Sequence, residues 1–256
     1  MLGTLMRAGA VLDLFTTDEP EWGVTATAKR LGIGKSLAHD VLASLAAIGL
    51  LQRVGHGRYR LGWRTMSLAS VMLRTSDLQA HARPVVRDLA ERHAVAVSLV
   101  AWDRGRILYI DRCQPSARPG ERAPGSPVSG ATVPFDGSAA AWTLLASRPD
   151  DEVRAVWASG GGVIDGIKHD ELELELARIR RTGWAQDNPV SPGGRCSVSA
   201  PVRDPDGEVC AAITLERRGE DTPANLELHA RIVVSAAGRI SQAIRRPVGH
   251  LAMARS

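Results

Sequence analysis

Apolar positions change period along residues 24–61, and the changes mark out a helix, a glycine turn, a second helix and a hairpin. Residues 25–31 form a short helical run, and Gly32-Ile33-Gly34 supplies a tight turn, because glycine reaches backbone angles closed to other residues. Residues 35–48 carry Leu37, Val41, Leu45 and Ile48 at i, i+4, i+8 and i+11, which predicts one buried stripe. Ser36, His39, Asp40 and Ala43 then share the opposite face. Gly49 stands where a helix-ending glycine is expected. Residues 50–54 and Arg58–Leu61 pair as strands around Gly55-His56-Gly57. This outline is a winged helix-turn-helix, a unit whose second helix enters a DNA major groove, so it implies double-stranded DNA as a partner.

The same patterns organise the rest. Residues 2–15 predict a first helix, and residues 63–74 a helix able to connect two domains. Residues 78–93 are helical, with Pro84 expected to kink or restart the helix. Residues 94–102 and Arg106–Cys113 alternate as strands about Asp103-Arg104-Gly105. Residues 114–130, rich in Pro, Gly and Ser, form a long irregular loop. Helices follow at 138–146, 149–158 and 170–182, a second hairpin at Arg195–Arg203 and 208–217, and a closing helix at Pro223–Ile244. Strand pairs among helices predict an α+β class with a largely antiparallel sheet. The expected domains are 1–62, a winged helix-turn-helix; 63–77, a linker helix; and 78–256, a larger second domain.

Charge sharpens this division. Residues 1–75 hold nine Lys/Arg against five Asp/Glu, while the remainder is balanced at 23 each, so the net charge of +4 sits on the first quarter. Asp40 is the only acid between Val24 and Arg74. A basic surface confined to one module suits phosphate contact, which releases counterions. Lys35, Ser36, His39 and Asp40 on the second helix and Arg58 and Arg60 on the wing are the expected DNA-contacting residues. One recognition helix reads few base pairs, so a dimer on a pseudo-palindromic operator is expected.

Other classes are disfavoured. Gly34-Lys35-Ser36 lacks the upstream glycine of a phosphate-binding loop, since Lys29 occupies that place. No GxSxG or HExxH occurs, no histidines stand at metal spacing, and no catalytic residue, cofactor or metal is called for. The longest near-apolar run, residues 41–51, is far short of a bilayer span and is interrupted by Ser44. Cys113, Cys196 and Cys210 are odd in number without CxxC spacing, which favours a reducing cytoplasm.

Taken together, LGIGKSLAHDVLASLAAIGLLQRV with GRYRLG, then VPFDGSAAAWTLLA at 133–146, IRRTGWAQDN at 179–188, CSVSAPVRDPDGEVCAAITL at 196–215 and the late AAGRISQAI resemble IclR-family transcriptional regulators over nearly the whole chain. The resemblance implies a GAF-like effector-binding domain, homodimers or homotetramers, and ligand-dependent control of an operon. It also implies a pocket beside the sheet. Ser138, Ala139 and Ala140 would open a helix whose unpaired amides suit an anion. Asp187 would sit on the adjoining loop, Cys196 would begin one lining strand, and Thr214 and Glu216 would alternate along the other. A small organic acid or a polar aromatic effector is the expectation, with a neutral ligand open because two carboxylates lie nearby. Regulation is expected to be repression.

The chain departs from many relatives at Leu37, where they carry a small hydroxyl residue, and at Asp40, where they carry a base. It also has Ala141-Trp142 where relatives often have glycine-lysine, which alters bulk and charge near the implied pocket. An enzyme and a constitutive architectural DNA binder are the alternatives; a large, charge-balanced second domain is better explained by ligand sensing than by either.

Overall fold

In a computed structural model, residues 3–115, 129–158, 169–187, 195–218 and 223–244 are described. The chain divides into two units, Met1–Ser76 and Asp77–Ser256.

In the first unit, α1 (Gly3–Leu12), α2 (Val24–Leu31) and α3 (Lys35–Ala47) stand beside a three-stranded antiparallel sheet of β1 (Trp22–Gly23), β2 (Leu51–Val54) and β3 (Arg58–Leu61), in the order β1-β3-β2. Gly32 ends α2 at φ 64°, the left-handed region that glycine enters without a Cβ penalty. The buried stripe of α3 is Ala38, Val41, Leu42 and Leu45, packed with Val11, Leu51 and Tyr59. This corrects the predicted stripe. Leu37 is only half-buried, and Ile48 is half-exposed because it lies past the last helical residue, where the backbone has left helical geometry. The helix is therefore turned so that small Ala38 meets its neighbours. β1 is two residues long, too short to carry a periodic signal, and the sequence does not predict it. Trp22 Nε1 donates to Leu14 O at 2.9 Å and ties this strand to the end of the first helical segment. α4 (Trp63–Thr75) follows the wing and buries none of its residues.

The second unit is built on one six-stranded antiparallel sheet. Its strands are β4 (Ala96–Asp103), β5 (Arg106–Cys113), β6 (Thr132–Pro134), β7 (Ala185–Gln186), β8 (Arg195–Arg203) and β9 (Val209–Arg218), in the order β6-β5-β4-β9-β8-β7. The two expected hairpins are β4–β5 and β8–β9, and they join through antiparallel pairing of β4 with β9. The short edge strands β6 and β7 are additions that the sequence pattern does not predict. The 114–130 segment falls for the most part outside the described residues.

Period 2 sorts the strands onto two faces. Val97, Leu99, Val198, Ala200, Ile213 and Leu215 pack under α5 (Asp77–His93) and α9 (Pro223–Ile244). Pro84 lies inside α5, which is continuous across it. Val100, Ile107, Tyr109 and Ala212 face the other way, toward α6 (Ala139–Leu145), α7 (Asp150–Ala158) and α8 (His169–Thr182). Every residue of α6 is buried. Trp142 is 4% exposed and meets Phe135 edge-on at 5.4 Å, so it belongs to the core. Among the described residues no helix is long and apolar enough to cross a membrane.

Gly62 locks the wing to the start of α4. Its N–H donates to Leu50 O at 2.8 Å, and a Cβ there would stand 2.2 Å from Gly49 O, a contact with backbone that no rotamer relieves. Gly62→Ala should therefore destabilise the first unit by about 1–3 kcal/mol, the range for overpacking, or more if the wing detaches. Urea denaturation of the two proteins checks this; an unchanged midpoint would show that the backbone yields freely.

Candidate DNA interface and effector site

Lys35, Ser36, His39 and Asp40 all lie exposed in the first two turns of α3, on the side away from the Ala38–Leu45 stripe. His39 Nδ1 and Asp40 Oδ1 are 3.4 Å apart, so the one acid of this face is positioned beside a group that becomes a cation on protonation. On the wing, Arg58 and Arg60 point outward while Tyr59 between them is buried. The Tyr59 hydroxyl accepts from Arg53 Nε at 3.0 Å. The two wing arginines are not equivalent. Arg58 donates from Nη2 to Glu21 O at 2.9 Å, and its Nε lies 3.3 Å from the Glu21 carboxylate. A phosphate would have to compete with that partner. Glu21 carries no signal in the sequence, because only the fold brings it to β3 through the β1–β3 pairing.

Of the expected effector residues, Ser138, Ala139, Ala140, Asp187, Thr214 and Glu216 lie on the α6 side of the large sheet, and Cys196 does not. Asp187 Oδ1 accepts from Ala139 N at 2.6 Å and from Ser197 Oγ. Ser138 is the N-cap of α6, and its hydroxyl accepts from Ala141 N at 3.3 Å. The expectation of unpaired amides at this helix start is therefore corrected: the first and third N–H groups are held by the protein's own oxygens. Ala140 is buried in the core beside them. Thr214 is 2% exposed, and its hydroxyl donates to Ser199 Oγ at 3.0 Å, which in turn donates to Ile213 O. Cys196 is the second correction. It pairs with Arg217 and alternates with Ser197, which pairs with Glu216, so Cys196 lies on the face opposite Glu216 and Thr214.

Sequence reasoning misses several members of this cluster. Ser98 stands opposite Thr214 on one side and Arg112 on the other; Ser197 stands opposite Glu216, and Ser199 opposite Thr214. Arg112 grips Glu216 in a two-pronged ion pair, Nη1 to Oε1 at 2.8 Å and Nη2 to Oε2 at 2.7 Å. Ser98 Oγ adds a donor to Glu216 Oε1 at 3.3 Å. The available signal is the alternation of serines within otherwise apolar strands, Ser197 and Ser199 on β8 and Ser98 on β4. Register across strands is needed to join them to Arg112. Among the described residues no group of three His, Cys, Asp or Glu side chains is placed to hold a metal.

Burial pushes the Asp187 carboxyl above the ordinary carboxylate range, against the hydrogen bonds from Ser197 and Ala139, which favour its charged form; Glu216 and Asp136 add to the rise. The same group in the unfolded chain gives up its proton at lower pH. Between the two values the folded protein holds the extra proton, so this group's contribution to stability falls as pH rises. Asp187→Asn keeps an acceptor oxygen and removes the titration. Relative to the parent, its denaturation midpoint should improve as pH rises above the ordinary aspartate value, about 3.9. Two pH profiles that stay parallel would show that Asp187 titrates normally.

Comparison with known proteins places both units. The model described as IclR helix-turn-helix domain matches residues 4–55, and the model described as Bacterial transcriptional regulator IclR C-terminal matches residues 70–241. The glycerol operon regulatory protein of Streptomyces griseus is 32% identical over 208 residues, spanning 78% of this chain and 79% of that protein. Its counterpart in Streptomyces coelicolor is 27% identical over 253 residues, 96% of each chain. A crystal structure of an IclR transcriptional regulator from Silicibacter superposes with a TM-score of 0.83 at 21% identity over 96% of this chain and 97% of its own. An IclR homolog from Microbacterium hydrocarbonoxydans, solved with 4-hydroxybenzoate, gives 0.70 at 22% identity over 94% and 99%. With both of its units matched by the family's two domain models, the chain belongs to the IclR family of transcriptional regulators.

Proposed function

We propose that this protein is a ligand-responsive repressor of a catabolic operon. In this reading residues 1–62 bind the operator, 63–77 link the domains, and 78–256 bind an effector and govern DNA affinity. The observation that carries the DNA assignment is the exposure of Lys35, Ser36, His39 and Asp40 together on α3, beside a basic wing. Lysine and arginine act chiefly on phosphates, while the short helix side chains approach base edges. Asp40 replaces the base of many relatives, and a carboxylate can accept from a cytosine amino group. The operator is therefore one of this protein's own. Repression is supported by relatives such as the transcriptional repressor IclR of Escherichia coli and the acetate operon repressor of Salmonella typhimurium, and the catabolic setting by the two glycerol operon regulators.

The polar cluster between β9 and α6 supports the effector assignment. An effector switches such a protein only through unequal affinity for its two conformations. The closed amides at the start of α6 remove the electrostatic ground for an organic acid, and leave a small polar molecule with donors of its own.

Dimerisation is supported by α4. Trp63 is 74% exposed and Met66 63%, and Leu68, Val71 and Met72 are exposed with them. Leu5 and Met6 of α1, in the same unit, are exposed too. Large apolar side chains left exposed along a helix in this number mark an interaction face. A second copy is the partner that a two-half-site operator requires.

Two measurements test these assignments. Arg60→Ala should weaken binding to all DNA sequences alike and lower the slope of log affinity against log salt by about one. Arg58→Ala should lower it less, because Glu21 already holds that guanidinium. An unaltered slope for Arg60→Ala in a salt titration would remove the wing from the phosphate contacts. Separately, Val71→Asp should convert a dimer to a monomer in sedimentation at micromolar concentration and lower operator affinity at least about tenfold, since each half-site then binds alone. A monomeric parent with one protein per operator would contradict the dimer.

A further inference from the structure

We infer that the Arg112–Glu216 pair is a charge lock on the effector site, in which Glu216 occupies the guanidinium that would otherwise hold an acidic ligand, so that the site selects an uncharged, hydroxyl-bearing molecule. This rests on the reading of the α6 side of the sheet as the effector site.

Three observations carry it. First, the pair is built into the floor of that site. Arg112 and Glu216 come from strands β5 and β9, with β4 between them, and meet over Ser98. Their side chains are 8% and 16% exposed, and both prongs of the guanidinium fork are matched to the two carboxylate oxygens. A bidentate guanidinium–carboxylate pair is the geometry that recognises a carboxylate ligand. Here the carboxylate is the protein's own. An incoming acid would have to displace Glu216 and leave its charge buried without a partner, a costly arrangement.

Second, the remaining charge is of the wrong sign for an acid. The pair is neutral in sum. Asp187 lies across from it and Asp136 stands at the same helix start, its Oδ1 accepting from Ser138 N at 3.1 Å. The amide that could have attracted an anion, Ala139 N–H, is taken by Asp187.

Third, the site retains hydrogen-bonding capacity suited to hydroxyls. Arg112 Nε is buried without a hydrogen-bond partner among the described residues. Carboxylate oxygens of Asp187 and Glu216 lie on the same face and accept, while Ser197 and Ser98 already donate to them. A hydroxyl both donates and accepts, so a diol or a phenol can accept from the Nε proton and donate its own to a carboxylate. A carboxylate ligand can only accept.

The test uses matched pairs that differ in the ionised group alone: glycerate against glycerol, and 4-hydroxybenzoate against 4-hydroxybenzyl alcohol. Dissociation constants are measured by titration calorimetry on the full-length protein, on Glu216→Gln, and on the double variant Arg112→Met with Glu216→Gln. The Glu216→Gln change removes the charge but keeps the size and one acceptor oxygen of the original side chain, so the fold is held while the guanidinium is released. The parent should favour the alcohol of at least one pair. Glu216→Gln should shift the acid-to-alcohol preference toward the acid by at least about tenfold, the scale of one unsatisfied charge contact. The double variant should lose that shift. A parent that already binds the acid of both pairs better, or a preference that Glu216→Gln leaves unmoved, overturns the charge lock while leaving the effector site in place. If none of the three proteins binds any of the four probes up to millimolar concentration, the reading of this face as the effector site falls, and the lock with it.

Discussion

The pairing of β4 with β9 is the constraint on which the second unit depends. It joins two strands that lie more than a hundred residues apart in the chain, matching Ser98 to Thr214 and Leu99 to Ile213. Because side chains alternate strictly along a strand, that single register decides which residues of all four central strands share a face. A slip by one position would send Thr214 and Glu216 toward α9 and bring Leu215 and Ile213 to the α6 side. The apolar residues prevent the slip. Leu99, Ile213 and Leu215 are essentially fully buried against α5 and α9, and a one-residue shift would take them away from that cover.

Once the register is fixed, the two faces carry different chemistry. The α5–α9 face is closed by a core of aliphatic side chains and provides stability through burial. The α6 face is apolar at one end, around Val100, Tyr109 and Ala212, and polar at the other, where Ser98, Ser197, Ser199, Thr214 and Glu216 gather. Buried polar groups require partners, and here they find each other: Thr214 to Ser199, Ser199 to a backbone carbonyl, Glu216 to Arg112. Such a network is expensive wherever it is incomplete, and Arg112 Nε marks where it is incomplete. That gap lies on the same face as the start of α6.

The DNA-binding unit solves a different problem with little material. Its core is small, and tight approach does what large side chains do elsewhere. Ala38 is fully buried against its neighbours, Gly32 turns the chain between two helices, and Gly62 passes against the Gly49 carbonyl. The polar half of α3 is thereby left outward and unencumbered by packing. α4 then leaves the unit with its apolar side chains uncovered, the opposite of what a lone globular module tolerates.

Periodicity and glycine placement by themselves determined the winged helix-turn-helix, the two hairpins, most helices and the exposure of Lys35, Ser36 and His39, because these depend on spacing within a few residues. Adjoining charge counts located the basic module for the same reason. Other features were decided only in three dimensions. The rotation of α3 that buries Ala38 and releases Ile48 depends on which helices it meets. Strands β1, β6 and β7 are too short to show a period, and exist because a neighbour offers hydrogen bonds. The β8 register decided that Ser197, and not its neighbour Cys196, shares a face with Thr214 and Glu216. Glu21 reached Arg58, and Arg112 reached Glu216, across 37 and 104 residues respectively. Pairings at that distance leave no mark on local pattern; they arise from strand order, which long-range burial selects.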